Sequence, residues 1–193
     1  LFGGRRATQV PLVTEATSWQ HGTFLGSIMG SEKTAAATGG LGQLRYDPMA
    51  MLPFCGYNMA EYWGHWLKIG ATDGAVMPKI YCVNWFRKSD SGDFLWPGFG
   101  ENSRVLKWIF ERCAGTVDAR QTAIGNLPLE GSLDVTGLDV SEADMRDLLE
   151  VDVQAWLKEI PGIREHYAQF GDAIPASLSE EVDALQSRLE AAQ

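Results

Sequence analysis

Apolar residues recur along this chain in short blocks whose spacing alternates between extended and helical periods. Val10, Leu12, Val13 and Ala16 form a short apolar run that predicts a strand within 8–18. Phe24, Leu25, Ile28 and Met29 fall at helical spacing and predict a helix over 19–29, closed by Gly30. Met59, Tyr62, Trp63, Trp66 and Leu67 share one face of a predicted helix over 58–68, with Asn58 as its cap and Gly70 as its stop. His65 lies on that helix beside two tryptophans, where packing or hydrogen bonding is its expected role. The β-branched and aromatic run 78–85 predicts a buried strand, followed by turn chemistry at Ser89-Asp90-Ser91-Gly92. Val105, Leu106, Ile109, Phe110 and Cys113 predict a helix over 102–113, with Asn102 as a candidate N-cap and Gly115 at its end.

After Gly115 the pattern becomes acidic and helical. Met145, Leu148, Leu149, Val153, Trp156, Leu157 and Ile160 point inward from an amphipathic region over 141–160, which Pro161-Gly162 is placed to break or offset. Ser177 and Glu180 read as a capping box opening a last helix, with Leu178, Val182, Leu185 and Leu189 on one face. No internal repeat or long heptad run is present. The elements together predict an α/β chain: mixed strands and helices over 1–115, then a mostly helical region over 116–193 packed on it.

Residues 31–43 fit neither period. The stretch SEKTAAATGGLGQ is polar and glycine-rich, with Leu41 as its one large apolar residue. It reads either as a lid or binding loop or as a plain connector.

Composition narrows the class. Over 193 residues, 45% hydrophobic and 21% charged is ordinary globular composition and argues against a disordered chain. The net charge of −9, concentrated after Gly115, disfavours nucleic acid, whose phosphates need cations. No stretch approaches the ~20 apolar residues of a membrane-spanning helix. Cys55, Cys82 and Cys113 are odd in number, widely spaced and set among apolar residues, which favours buried thiols in a reducing, cytoplasmic setting. Leu1-Phe2-Gly3-Gly4-Arg5-Arg6 lacks the apolar core of a signal peptide, so Leu1 reads as a position inside a longer protein.

Several chemistries have no motif here. The sequence contains no G-x-x-x-x-G-K-[ST], H-E-x-x-H, C-x-x-C or G-x-S-x-G pattern, and its three histidines have no metal-ligand spacing. The informative stretch is 84–104, NWFRKSDSGDFLWPGFGENSR, where Trp85, Phe86, Phe94, Trp96 and Phe99 flank a Pro97-Gly98 corner. Rings on irregular segments either side of a turn can converge on a planar base. Stacking then contributes ~1–3 kcal/mol without telling bases apart. Discrimination needs hydrogen bonds to the base edge, available from Asn102 and from the backbone of Phe99, Gly100 and Glu101. The same five aromatics can instead form a small hydrophobic cluster under a hairpin. Arg5 and Arg6, after two glycines, suit a phosphate or carboxylate, or equally a surface ion pair.

Taken with Phe2-Gly3-Gly4-Arg5-Arg6, Trp19-Gln20-His21-Gly22, Asp47-Pro48, Pro53-Phe54, Gly56-Tyr57-Asn58 and Asn84-Trp85-Phe86-Arg87-Lys88, the run Phe94 to Arg104 resembles the C-terminal part of GTP-dependent phosphoenolpyruvate carboxykinases. The likeness is weaker after Gly115. It implies the nucleotide-binding and lid portion of the carboxykinase fold, followed by a helical tail. It also implies a decarboxylating lyase that interconverts oxaloacetate and GTP with phosphoenolpyruvate, GDP and carbon dioxide, in gluconeogenesis or anaplerosis. Phe86, Phe94 and Phe99 then correspond to rings around guanine with Trp85 beside them. Asn102, with the backbone of Phe99, Gly100 and Glu101, corresponds to the base-edge reader, and Arg5 to a phosphate-contacting arginine. Ser31, Glu32, Lys33, Thr34, Ala35, Ala36, Ala37, Thr38, Gly39 and Gly40 correspond to a lid that closes over substrates and excludes water. Manganese and magnesium are expected in the whole enzyme, with protein ligands, phosphate loop and reactive cysteine upstream of Leu1. No catalytic or metal-binding residue is therefore expected in this chain, which alone should be inactive. A monomer is expected, with no nucleic-acid or membrane partner. Two departures stand out: Ala7 follows the arginine pair where the family pattern has proline, and Thr38-Gly39-Gly40 is unusually glycine-rich. The rival reading is a non-catalytic binding or interaction module that uses the cluster from Trp85 to Phe99 for a sugar, a peptide or a partner.

Overall fold

The computed structural model describes residues 1–33 and 43–193. In chain order the elements are β1 (Phe2–Gly3), β2 (Val13–Glu15), α1 (Trp19–Ser27), β3 (Gly30–Glu32), β4 (Leu44–Tyr46), α2 (Met59–Gly70) and β5 (Tyr81–Val83). They continue with α3 (Asn102–Ala114), β6 (Ala119–Thr122), β7 (Gly125–Pro128), α4 (Glu142–Leu148), α5 (Val153–Ala168) and α6 (Ala176–Ala191). One five-stranded sheet runs in the order β1-β5-β2-β7-β6, with β1 parallel to β5 and the other pairs antiparallel. A separate two-stranded ribbon joins β3 to β4.

Local chemistry accounts for the helix ends. Ser18 accepts from the His21 amide, Asn58 from Ala60 and Asp152 from Ala155, each satisfying an orphan N–H at a helix start. Gly115, at φ +70°, closes α3 in the left-handed conformation. Gly22 is needed for close approach: a Cβ there would sit 2.5 Å from Ile80 Cδ1 and 2.7 Å from Ile80 Cβ.

Two apolar clusters hold the fold. The larger gathers Phe24 of α1 and Ile28 at its C-cap, Met59 and Trp63 of α2, Leu127 of β7, Trp156, Ile160 and Ile163 of α5, and Leu178, Val182, Leu185 and Leu189 of α6. Full burial of such a side chain stabilises by roughly 1.5–3 kcal/mol. The smaller lies between the sheet and α3, with Leu12, Val13, Tyr81, Val83, Trp96, Val105, Trp108 and Leu148.

Several sequence expectations need correction. The region after Gly115 is not purely helical. The hairpin β6–β7 adds two strands, and β7 pairs with β2 through Glu15 and Asn126, so the main sheet crosses residue 115. The acidic region breaks between α4 and α5, not at Pro161, which sits inside α5. The capping box lies at Ser141 and Asp144, whereas α6 starts behind Pro175 with no side-chain cap. On α3 the buried residues are Val105 and Trp108, while Leu106, Phe110 and Cys113 are exposed. Both sides of that helix carry apolar residues, so spacing alone could not choose between them. His65 is exposed, not packed. The expected loop over 31–43 is strand at its first two residues, where Ser31 and Glu32 pair with Arg45 and Leu44.

Candidate functional site at the loop between β5 and α3

The site begins at a buried amide. Asn84, directly after β5, is 0% exposed. Its Oδ1 accepts from the backbone N–H groups of Arg6 and Phe86, both at 3.2 Å. Its Nδ2 donates to the carbonyls of Arg6 at 2.9 Å and Val10 at 2.8 Å. An asparagine in this position is fully satisfied, so burial carries no penalty and the amide ties three chain segments together. The Lys88 amide adds a backbone bond to the Ala7 carbonyl at 2.8 Å, so 5–7 and 86–88 run side by side.

This pairing sets Arg5 beside the aromatic cluster. Its guanidinium carbon is 5.8 Å from the Phe86 ring centroid, within cation–π range. The backbone of Arg5 is held by β3: its N–H donates to Ser31 Oγ at 3.0 Å and its carbonyl accepts from the Glu32 amide at 2.8 Å. Nη2 of Arg5 donates to the Glu32 carbonyl at 3.1 Å. Arg6 has a different role. It is buried, with Nη1 and Nη2 donating to the two carboxylate oxygens of Glu159 on α5, at 3.2 and 2.7 Å, while Gln9 Nε2 donates to the same carboxylate. This network was not legible in the sequence, because Glu159 is one of several acids on an acidic helix.

Phe86 and Phe94 meet edge to face, with centroids 6.2 Å apart and planes at 70°. A bridge between Lys88 and Phe94 and the bond from the Leu95 amide to the Arg87 carbonyl hold the two arms of this hairpin. Lys88 Nζ lies 4.8 Å from the Phe94 centroid. Arg87 is buried and pairs with Glu150 at 3.1 Å; burial lowers its pKa, with the Glu150 carboxylate opposing. Trp85 is half-buried against the smaller core cluster.

Past the corner, Gly98 takes φ +74° and Phe99 φ +41°. Phe99 opens a 3₁₀ turn, Phe99–Glu101, that runs directly into α3. This residue is 99% exposed. A large aromatic that is both solvent-facing and in the left-handed region is costly twice over, and such outliers collect at binding sites. Gly100 has nothing within 4 Å of a notional Cβ, and Glu101 pairs with Arg104 at 2.6 Å.

Asn102 does not cap α3, contrary to the sequence expectation. Its backbone is already helical, at φ −58° and ψ −24°, because the 3₁₀ turn feeds the helix without an extended residue. Its Oδ1 accepts instead from the indole Nε1 of Trp96, at 2.9 Å.

The structure thus brings Arg5, Phe86 and Phe94 into one neighbourhood, with Phe99, Gly100, Glu101 and Asn102 on the turn that follows Trp96. Of the lid expectation, Thr34, Ala35, Ala36, Ala37, Thr38, Gly39 and Gly40 lie outside the described residues. Ser31, Glu32 and Lys33 are described. Among the described residues no group of three His, Cys, Asp or Glu side chains is placed to hold a metal ion. No described helix is long and apolar enough to cross a membrane. Desolvation pushes the Cys82 thiol up to about 12. Cys113 is exposed and Cys55 and Cys82 are half-buried, correcting the expectation that all three thiols are buried.

A mixed sheet flanked by helices, with an aromatic and arginine-bearing loop, defines an α/β domain. The chain belongs to the phosphoenolpyruvate carboxykinase family: residues 1–188 match the family's description as "Phosphoenolpyruvate carboxykinase C-terminal P-loop domain". Similar proteins carry the name "Phosphoenolpyruvate carboxykinase [GTP]". One from Neocallimastix frontalis is 57% identical over 194 residues, covering 100% of this chain and 32% of the relative. One from Treponema pallidum is 55% identical, over 98% of this chain and 31% of the relative. Another, from an Arthrobacter species, is 52% identical, over 98% and 31%. The chain therefore spans about a third of the length of these relatives.

Proposed function

We propose that this chain is the guanine-recognising, phosphate-contacting part of a GTP-dependent phosphoenolpyruvate carboxykinase, acting in the cytoplasm on oxaloacetate, phosphoenolpyruvate and GTP or GDP. The observation that carries the reading is the fully exposed Phe99, on a strained turn, in the same loop as Phe86 and Phe94 with Arg5 against the Phe86 ring. Rings offered to solvent in this way suit a planar base. Arg5 presents a fixed guanidinium suited to the phosphates of the same nucleotide. Two backbone bonds to Ser31 and Glu32 fix its main chain, and one from Nη2 to the Glu32 carbonyl orients the guanidinium before the nucleotide arrives, which lowers the ordering cost of binding. Metal ions in the whole enzyme would be held by residues outside this chain.

The test uses the full-length protein and measures GTP affinity by calorimetry. Phe99→Ala should weaken GTP by on the order of 1–3 kcal/mol. Arg5→Met should weaken GTP far more than it weakens guanosine, which has no phosphate to contact. Unchanged GTP affinity in Phe99→Ala would reject the reading.

A further inference from the structure

The bond between Trp96 and Asn102 bears on base selectivity, a role that rests on the nucleotide reading of this loop. Trp96 is 1% exposed, so its indole is fixed by packing. An indole N–H is a donor and never an acceptor. The amide atom facing it at 2.9 Å must therefore be oxygen, so the indole itself settles the Asn102 orientation. The helical backbone at Asn102 and the 3₁₀ turn before it hold the main chain, which leaves rotation of the amide as the freedom to be removed.

An asparagine amide is indifferent by nature. Turned one way it donates; turned the other it accepts. Guanine carries a carbonyl acceptor at position 6, and adenine carries an amino donor there. A rotatable Asn102 would satisfy either base. With Oδ1 committed to Trp96, the group offered to a ligand is Nδ2, a donor, which makes no protein hydrogen bond among the described residues. It complements guanine and meets adenine donor to donor. We propose that Trp96 is the specificity-determining positioning residue of this site: its indole N–H locks Asn102 as a donor and so turns an amide that accepts both purines into one that selects a 6-oxopurine.

The experiment compares GDP, IDP and ADP affinities of the full-length enzyme by calorimetry. Trp96 is changed to Phe and, separately, replaced by benzothienylalanine, which keeps the shape of the indole but has sulfur where the N–H was. The sulfur replacement guards against loss of folding in Trp96→Phe. The expected result is a fall of about tenfold in the GDP-over-ADP ratio, as for the loss of one hydrogen bond, with IDP following GDP because it shares the 6-carbonyl. A ratio left intact by benzothienylalanine, even if all three nucleotides weaken in parallel, assigns Trp96 to packing and overturns the proposal. Asn102→Ala separates the two levels of the argument. If it collapses the ratio while the Trp96 replacements do not, the base site stands and the role of the indole falls. If Asn102→Ala leaves the ratio unchanged, Asn102 does not read the base, and the proposal falls with it.

Discussion

Phe99 combines two unfavourable features on one residue, and they can be separated by substitution. Its φ of +41° costs a non-glycine residue about 1–3 kcal/mol, and its ring is open to water. Phe99→Gly in the full-length protein should therefore leave stability unchanged or raise it by up to about 1 kcal/mol, while GTP affinity falls. Denaturant melts and calorimetry on the same preparation check both halves; destabilisation by more than about 1 kcal/mol would mean that the ring packs where the structure shows it exposed. A second residue sets a pH dependence. His21 is buried at the start of α1, where its Nδ1 accepts from the Thr17 amide at 3.1 Å. Burial, and then the charge of Arg188, lower its pKa from 6.5 to about 4. Between those values the unfolded chain binds the proton and the folded chain does not, so the His21 contribution to stability is complete above about pH 6.5 and declines as pH falls toward 4. The full effect is on the order of 3 kcal/mol. The ring resonances of His21 should titrate near 4, and His21→Gln should make the stability profile less steep over that window, with buried His166 supplying a remaining slope of the same sign; titration of His21 near 6.5 would contradict the burial. At this scale the sequence was a partial guide. The aromatic loop could be picked out, since five rings around a Pro-Gly corner are unusual. That Asn102 would meet the Trp96 indole and not cap α3 could not, because both are within reach of one amide, and only the path of the turn decides between them.

At the scale of elements, the Arg6–Glu159 pair joins the loop after β1 to α5, across 153 residues of sequence. Both side chains are about nine-tenths buried. Removing one partner leaves the other charged and uncompensated, so Arg6→Met should destabilise by about 3–5 kcal/mol. The double change with Glu159→Leu should recover most of that loss. Chemical denaturation of the four proteins in the cycle measures the coupling, and additive losses would show that the pair does not act as one. Gly22 is the other joint. A Cβ at this position collides with Ile80, so Gly22→Ala should cost about 1–3 kcal/mol as α1 is pushed off the sheet. The helices with one clean apolar stripe, α2 and α6, were legible from spacing, and their expected inward residues are buried or half-buried. The helix with apolar residues on two sides, α3, was not. Nor was the hairpin β6–β7, whose four-residue strands include Arg120, Gln121 and Asn126 and give no alternation strong enough to read.

At the scale of the whole molecule, the two ends of the sequence build one core. Phe24 and Trp63 from the first half meet Ile160, Ile163, Leu178, Leu185 and Leu189 from the second. The sheet is likewise completed on one side by β6 and β7. A chain ending at residue 115 should accordingly lose its cooperative thermal transition and bind hydrophobic dye; a sharp melt would show that the first half is self-sufficient. The overall α/β character was legible because strand-like and helix-like periods are both present. The continuity of the sheet across Gly115 was not, because a change in charge and composition there looks like a boundary and backbone pairing leaves no mark in composition. That same closure bears on how the protein is made. Leu189 is completely buried against helices that are synthesised before it. During translation, α1 and α2 emerge before the α5 and α6 residues that share their apolar cluster. The order of synthesis therefore sets the order of packing: the apolar faces of α1 and α2 are completed only when α6, the last of these helices to be made, joins them.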